Sequence, residues 1–364
     1  MKRFLLFRYL GGHYLANTIG AILGLAALVE LLDMLDNATD VFDRGLGLSG
    51  LGTYLMLRLP STFDQVITLG ILIGGLVTFS QAARHNEIAA IRSAGVTVYR
   101  LALLLAPVVA IFAGLHFFIA DTVAPQTSRA LAVWWDATTP PPSEAEDNAK
   151  PKDKTIWFRM GKDIVAVKAI ANGGRNITSV QIYKRDADRE LTGRIEADSG
   201  TYTDDGWTLH NVTTTQIAQH AVHVAKAADW AWANGPDPAD LVELANPASP
   251  ISRGASRRAL EGARARNRPA SFYEMQIAAS YAAIVASFVM LLLSLPAAFE
   301  TPRDARGGRL VLRSMVLGLL FVLTNGVLQA FGSSGALPTG LAAWAGIGIF
   351  TLIGTNLLLR LEDN

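Results

Sequence analysis

Long uncharged runs set the pattern of this chain. Tyr9–Val29, Gln65–Ala83, Leu101–Ala120 and Met275–Phe299 hold no Asp, Glu, Lys or Arg, and Ser314–Leu359 is uncharged for 46 residues. A hydrocarbon core of ~30 Å takes about 20 helical residues, so each of the first four runs predicts one membrane span. The fifth run is too long for one helix, and Gly332-Ser333-Ser334-Gly335 with Pro338 divides it into two. Six spans result, three before and three after a polar middle. The first run is too long for a cleaved leader, and no A-x-A site follows it.

The polar middle reads as β. Thr155–Met160, Asp163–Ile170, Ile177–Lys184, Leu191–Ala197, Trp207–Val212 and Thr214–Ala218 are short runs carrying β-branched or aromatic residues. Asn172-Gly173 and Asp205-Gly206 are strong turn dipeptides between them. Strands at this spacing suggest a sandwich or jelly roll. Pro140–Pro142 and the charged stretch to Lys154 predict a solvated loop, and the Arg-rich stretch Ser252–Arg268 a helix or linker back to the membrane. The domain reading is spans one to three over 1–121, a β-domain over 122–250, a linker or helix over 251–271 and spans four to six over 272–364.

Between spans two and three lies the polar stretch Ala82–Arg100, AARHNEIAAIRSAGVTVYR. Asn86–Gly95 predicts a short helix, with Asn86 as N-cap, Glu87 at the positive end of the dipole and Gly95 as the stop. Ile88 and Ile91 are three apart and share a face. Such a helix offers a surface to a soluble partner, or is a plain connector.

Charge sets the orientation. Lys2, Arg3, Arg8, Arg84, Arg92, Arg100, Arg303, Arg306, Arg309, Arg313 and Arg360 flank the spans on one side, against Arg44 and Arg58 on the other. The positive-inside rule then makes both termini and Ala82–Arg100 cytoplasmic and puts the β-domain outside. At 51% hydrophobic and 17% charged, the composition suits a membrane protein. A net charge of +1 gives no pull toward nucleic acid, and no cysteine is present for disulfides or thiolate chemistry.

Candidate chemistry is sparse. There is no GxxxxGK[ST], HExxH or GxSxG. His220 and His223 are three apart with no close carboxylate, which argues against a metal site. Glu30, Asp33 and Asp36 lie along one face at the outer end of span one, with Asp64 and Gln65 at the outer end of span two. They are either the rim of a polar cavity or solvated acids. Asn325 and Gln329 share a face of span five, and Gly20-xxx-Gly24 and Gly70-xxx-Gly74 permit close helix approach.

Together these features resemble the LptF/LptG permeases, the membrane halves of the lipopolysaccharide-export ABC transporter. Nearly the whole chain takes part: three spans, an outside β-domain and three spans. The carrying motifs are Asn86–Arg100 after span two, LLDMLDNATDVFDRG at Leu31–Gly45, GWTLHN at Gly206–Asn211 and LPAAFETPRDARGGR at Leu295–Arg309. SSGALPTGLAAW at Ser333–Trp344 and the Leu32–Asp36 stretch are more similar to the LptG member than to LptF.

The resemblance implies an α-helical inner-membrane protein with six transmembrane helices, three plus three, and an inserted all-β periplasmic jelly-roll domain. It implies pairing with an LptF-like half and two LptB-like cytoplasmic ATPases. The chain would bind no cofactor itself, ATP and Mg being used by the ATPase. Glu87, Ile88, Ile91 and Arg92 would meet the ATPase, with the isoleucines in its groove. Glu30, Asp33, Asp36, Arg44, Arg58 and Asp64 would belong to the lipopolysaccharide cavity or its rim. Gly20, Gly24, Asn325 and Gln329 would lie near the seam between halves. The β-domain would join an LptC-like membrane-anchored protein and an LptA-like shuttle.

One feature departs from this picture. A cavity for a phosphorylated glycolipid calls for Lys or Arg at its rim, where this chain carries mainly acids. A less phosphorylated lipid, bridging divalent cations or cations from the partner half would each reconcile the two. The rival reading is a mechanotransmission or adaptor protein that couples an ATPase to periplasmic partners without moving substrate.

Overall fold

The computed structural model describes residues 2–93, 95–138, 155–218, 221–246, 249–299 and 308–362. The chain forms two compact units: Met1–Thr39, Arg58–Ala124 and Glu274–Asn364 make the helical one, and Asp40–Leu57 with Pro125–Tyr273 the other.

Among the described residues six helices are long and apolar enough to cross a membrane. Helix α1 (Lys2–Asp43) and α2 (Gly47–Arg84) run far beyond the uncharged runs that predict them. Charged residues end the apolar stretch without ending the helix. Gly45 and Gly47, at φ +73° and +57°, supply the left-handed backbone that turns α1 into α2. A short helix α3 (Glu87–Ser93) follows, then α4 (Val98–Phe118), whose N-cap Thr97 accepts from the Arg100 amide at 3.4 Å. A π turn over Ile119–Val123 leads into α5 (Ala124–Ala137).

After the β-domain, α8 (Ala270–Ser294) ends in a 3-10 turn, Leu295–Phe299. Then come α9 (Arg309–Ser334) and α10 (Thr339–Glu362). The expected break between the last two spans falls at Gly335, at φ +81°, where the amides of Gly335 and Ala336 bond back to Gly332 and Phe331.

Packing sorts the spans. Within their apolar stretches, α2 and α8 are 67% buried, whereas α1 is 22% and α9 17% buried. Phe79, Ile71, Leu72, Leu105, Met290 and Phe321 are among the residues that fill the helical core. Gly70 and Gly74 face α1 directly: a Cβ on Gly74 would meet the Thr18 backbone and one on Gly70 would meet Ile22. That small-residue pair therefore joins helices of the same chain. Gly20 and Gly24 have open space around their Cα atoms.

In the other unit, seven antiparallel strands among the described residues form one sheet: β1 (Ile156–Met160), β2 (Asp163–Val167), β3 (Ala169–Ala171), β4 (Asn176–Arg185), β5 (Leu191–Thr203), β6 (Gly206–Ala218) and β7 (Ala221–Trp232). The order is β1-β2-β4-β5-β6-β7, with β3 also on β4. The expected fold class stands, six candidate membrane helices with an all-β region inserted between the third and fourth in sequence, its strands joined as a meander.

The strands differ from the sequence pattern in four places, the first being that Asp163–Ile170 is divided between β2 and β3. Leu191–Thr203 is one strand of 13 residues, and Trp207–Val212 and Thr214–Ala218 are a single strand. β7 was not marked by the pattern, because its residues are exposed on both faces from Val222 to Asp229 and leave no in-out alternation. Phe158, Val165, Ile182, Leu209 and Trp207 form the sheet's core, and the Trp207 indole donates to the Pro236 carbonyl at 2.7 Å.

The Arg-rich segment folds onto this unit. Helix α6 (Pro238–Ala245) buries Leu241 in the sheet core and is capped by Asp237; α7 (Arg253–Leu260) is capped by Ser252. Arg264 is 5% exposed and binds Asp240 at 2.7 Å and Glu243 at 2.8 Å. Glu243 also takes Arg129 of α5 at 2.7 Å. Burial pulls the Arg264 guanidinium down, but the hydrogen bonds and charges of Asp240 and Glu243 outweigh it and hold its pKa above the ordinary value. Arg266 pairs with Arg159 of β1 through two backbone hydrogen bonds, 2.7 and 2.9 Å. Burial first, and then the cations of Arg266, Arg185 and Arg189, lower the Arg159 pKa.

Candidate functional site

Two polar clusters lie at opposite ends of the α1–α2 pair. The first surrounds α3. The helix is closed as the sequence predicts at its C-terminus: Gly95 has φ +78°, its amide bonds to Arg92 O at 2.9 Å, and the Val96 amide bonds to Ile91 O at 3.3 Å. That is a Schellman stop. Its N-terminus differs. Asn86 has φ +57°, outside the extended region an N-cap occupies, so it makes the turn from α2 instead of capping α3.

The four α3 residues singled out from sequence fall into distinct roles. Ile88 is 3% exposed and sits in the chain's own helical core, so it does not reach outward into a partner's groove. The expectation overlooked that a helix this short needs its own anchor. Ile91 is half-buried. Arg92 is exposed and holds its guanidinium 4.9 Å from the centre of the Phe299 ring. The Glu87 carboxylate accepts from the Tyr9 hydroxyl of α1 at 2.8 Å. What α3 leaves outward is Ala89, Ala90, Arg92 and Ser93.

Next along the α1–α2 pair, the Asn17 amide donates to Thr78 Oγ1 at 3.0 Å and to Gln81 Oε1 at 3.3 Å. The Tyr14 hydroxyl donates to the Ile71 carbonyl at 3.3 Å.

The second cluster lies toward the other end. Glu30 is buried, 7% exposed, and its Oε1 accepts from Thr62 Oγ1 at 2.5 Å, while Oε2 has no partner among the described residues. Glu30 is therefore no solvated rim acid: its side chain points from α1 toward α2. Asp33 pairs with Arg58 at 2.6 Å. Asp64 meets His116 Nε2 at 3.1 Å, and the Nδ1 of that buried histidine has no partner among the described residues. Asp36 is exposed. Arg44 belongs to the other unit, where its guanidinium lies 3.9 Å over the Trp135 ring and donates to the Trp135 carbonyl at 2.6 Å.

The structure thus pairs Glu30 with Thr62, Asp33 with Arg58 and Asp64 with His116, while Arg44 makes its contacts within the other unit. Tyr9 and His116 were missed from sequence because each lies in an uncharged run and its partner is 78 or 52 positions away along the chain. Their one signal is that polar side chains inside membrane helices seek partners.

On α9, Asn325 faces α10: its Oδ1 is buried with no partner among the described residues, and a Cβ on Gly346 would lie 3.3 Å from it. Gln329 is half-buried. The open face of α9 carries Leu319, Leu323, Val327 and Phe331, and that of α1 carries Ile19, Leu23 and Leu31. His220 lies outside the described residues, and His223 is exposed on β7. Among the described residues no group of three or more His, Cys, Asp or Glu is arranged to hold a metal ion.

Set against known proteins, residues 8–360 match the family model described as lipopolysaccharide export system permease LptF/LptG. The match does not separate the two members. No curated protein matches the chain in sequence.

Proposed function

The chain belongs to the LptF/LptG family of lipopolysaccharide export permeases, and we propose that it extracts lipopolysaccharide from the outer leaflet under the drive of a separate ATPase. It is a multi-pass inner-membrane permease subunit. Its partner half is LptF-like, and two LptB-like cytoplasmic ATPases bind ATP and Mg. The termini and α3 are cytoplasmic on this reading, and the β-domain is periplasmic.

The observation that carries the coupling role is α3 itself. A helix of seven residues, set between two spans, is anchored by buried Ile88 and turns Arg92 and Ser93 outward. Buried Ile88 gives that face a footing in the helical core against which a load could act. ATP-driven closure of the ATPase pair would push both permease halves together and expel the lipid from the cavity between them.

The second cluster gives the cavity its polar lining. Arg58 is already neutralised by Asp33, so the cations that meet lipid phosphates come from the partner half. The open apolar faces of α1 and α9 suit acyl chains or the seam between halves.

For the bridge, β7 is an edge strand of 12 residues that among the described residues pairs with β6 alone, with Val222 and Val224 at 63% and 60% exposure. Unprotected edges of this kind accept another strand, so a related sheet of an LptC-like protein would add there, with an LptA-like shuttle beyond.

The test is reconstitution. The chain, an LptF-like half and the ATPase are placed in proteoliposomes, and lipopolysaccharide release to LptC- and LptA-like acceptors is followed with and without ATP. ATP-dependent release supports the reading. ATP hydrolysis with no release in the full assembly would favour a mechanotransmission or adaptor role.

A further inference from the structure

Helix α3 adjoins α2 and α4 through the chain, but it reaches α1 by side chains. We infer that Tyr9 is the positioning residue that couples α3 to α1, so that a displacement of α3 is delivered to α1 through the hydrogen bond from the Tyr9 hydroxyl to Glu87. The inference rests on α3 being the element the ATPase pushes.

Side-chain contacts hold α3 in place. Ile88 fixes its depth in the core, Arg92 stacks on Phe299 at the end of the 3-10 turn after α8, and Glu87 accepts from Tyr9 at 2.8 Å. A seven-residue helix does not hold its orientation alone. Ile88 sets no rotation about its own contact, so the contacts on either side of it do. One leads to the first three spans and the other to the last three. Among the described residues, the Tyr9–Glu87 bond is the only hydrogen bond between α3 and α1.

Tyr9 is well placed to transmit. Past it, α1 is tied to α2 by Asn17, Tyr14, Glu30 and Asp33 in turn. From Tyr9 to Glu30 is about 30 Å along the helix at ~1.5 Å per residue. A shift at Tyr9 therefore reaches the second polar cluster along a cross-linked helix pair. The bond is also made to be remade. It is exposed, and a cavity of about 290 Å³ beside it, lined by His13, Gln81 and His85, leaves the carboxylate room to turn to another donor.

The experiment uses the complete assembly of chain, partner half and ATPase, comparing wild type, Tyr9→Phe and Glu87→Ala. Tyr9→Phe removes only the hydroxyl. It is expected to leave ATPase association and the KM for ATP unchanged while lipopolysaccharide released per ATP hydrolysed falls about tenfold, the factor equivalent to ~1.4 kcal/mol. Spin labels on introduced cysteines at exposed Ala16 and Ala89 should show an ATP-dependent distance change that Tyr9→Phe abolishes; the chain has no cysteine of its own to interfere. If Tyr9→Phe keeps the wild-type release ratio and distance change while Glu87→Ala loses release, the Tyr9 link is overturned and the α3 reading survives. If Glu87→Ala also keeps full release, both are overturned.

Discussion

Replacing Arg264 by Ala should destabilise the β-domain more than any other single change to a charged residue described here. Arg264 is 5% exposed and satisfies Asp240 and Glu243, and Glu243 is itself buried. Removing the guanidinium leaves two carboxylates facing each other with one remaining cation, Arg129, which is 30% exposed. Breaking a buried pair in this way costs ~3–5 kcal/mol, because the partner charge stays behind. For a unit of roughly 150–250 residues that corresponds to a fall in Tm of about 6–20 °C. Six of the seven tryptophans, Trp134, Trp135, Trp157, Trp207, Trp230 and Trp232, lie in this unit, so tryptophan fluorescence of the detergent-purified chain reports its melting directly. Arg129→Ala is the control, since Arg264 still holds Glu243; it should cost about 1 kcal/mol, as a partly exposed pair does. A Tm for Arg264→Ala within 2 °C of wild type, or equal to that of Arg129→Ala, would refute the argument that the guanidinium is the clamp between α6 and the segment after α7.

Other substitutions test separate parts of the structure. Gly74→Leu drives a side chain into the Thr18 backbone and should cost ~1–3 kcal/mol in a thermal melt, while Gly20→Ala, in open space, should be silent in the isolated chain. Gly95→Ala forces a side chain onto φ +78° and should cost about 1 kcal/mol, read as faster hydrogen exchange at Gly95 and Val96; Gly95→Asn should restore most of it. Thr62→Val strips buried Glu30 of its donor and should cost ~1–3 kcal/mol, again read as a lower Tm, whereas Glu30→Gln keeps the acceptor and should cost less.

The six spans were legible because they rest on long, redundant patterns. Twenty uncharged residues mark a span whatever packs against it. Span ends were less legible: Glu30, Asp33 and Asp36 end the uncharged run of α1, yet the helix continues to Asp43. The same three acids look alike in sequence and differ in the fold, Glu30 buried on Thr62, Asp33 paired with Arg58 and Asp36 exposed. Their neighbours on α2 are about 30 positions away and leave no local trace. Ile88 shows the same limit, since an apolar residue on a short helix can face a partner or its own bundle, and tertiary packing decides. β7 escaped because an edge strand exposed on both faces carries no alternation, whereas Asn172-Gly173 was legible because it needs positive φ at both positions and has it.

The central claim, that α3 links an ATPase to the bundle, is tested most directly by Glu87→Ala in the purified assembly, measuring ATPase co-purification together with ATP-dependent lipopolysaccharide release. The account predicts that one or both collapse while the chain remains folded in the membrane. Full association and wild-type release from Glu87→Ala would contradict it.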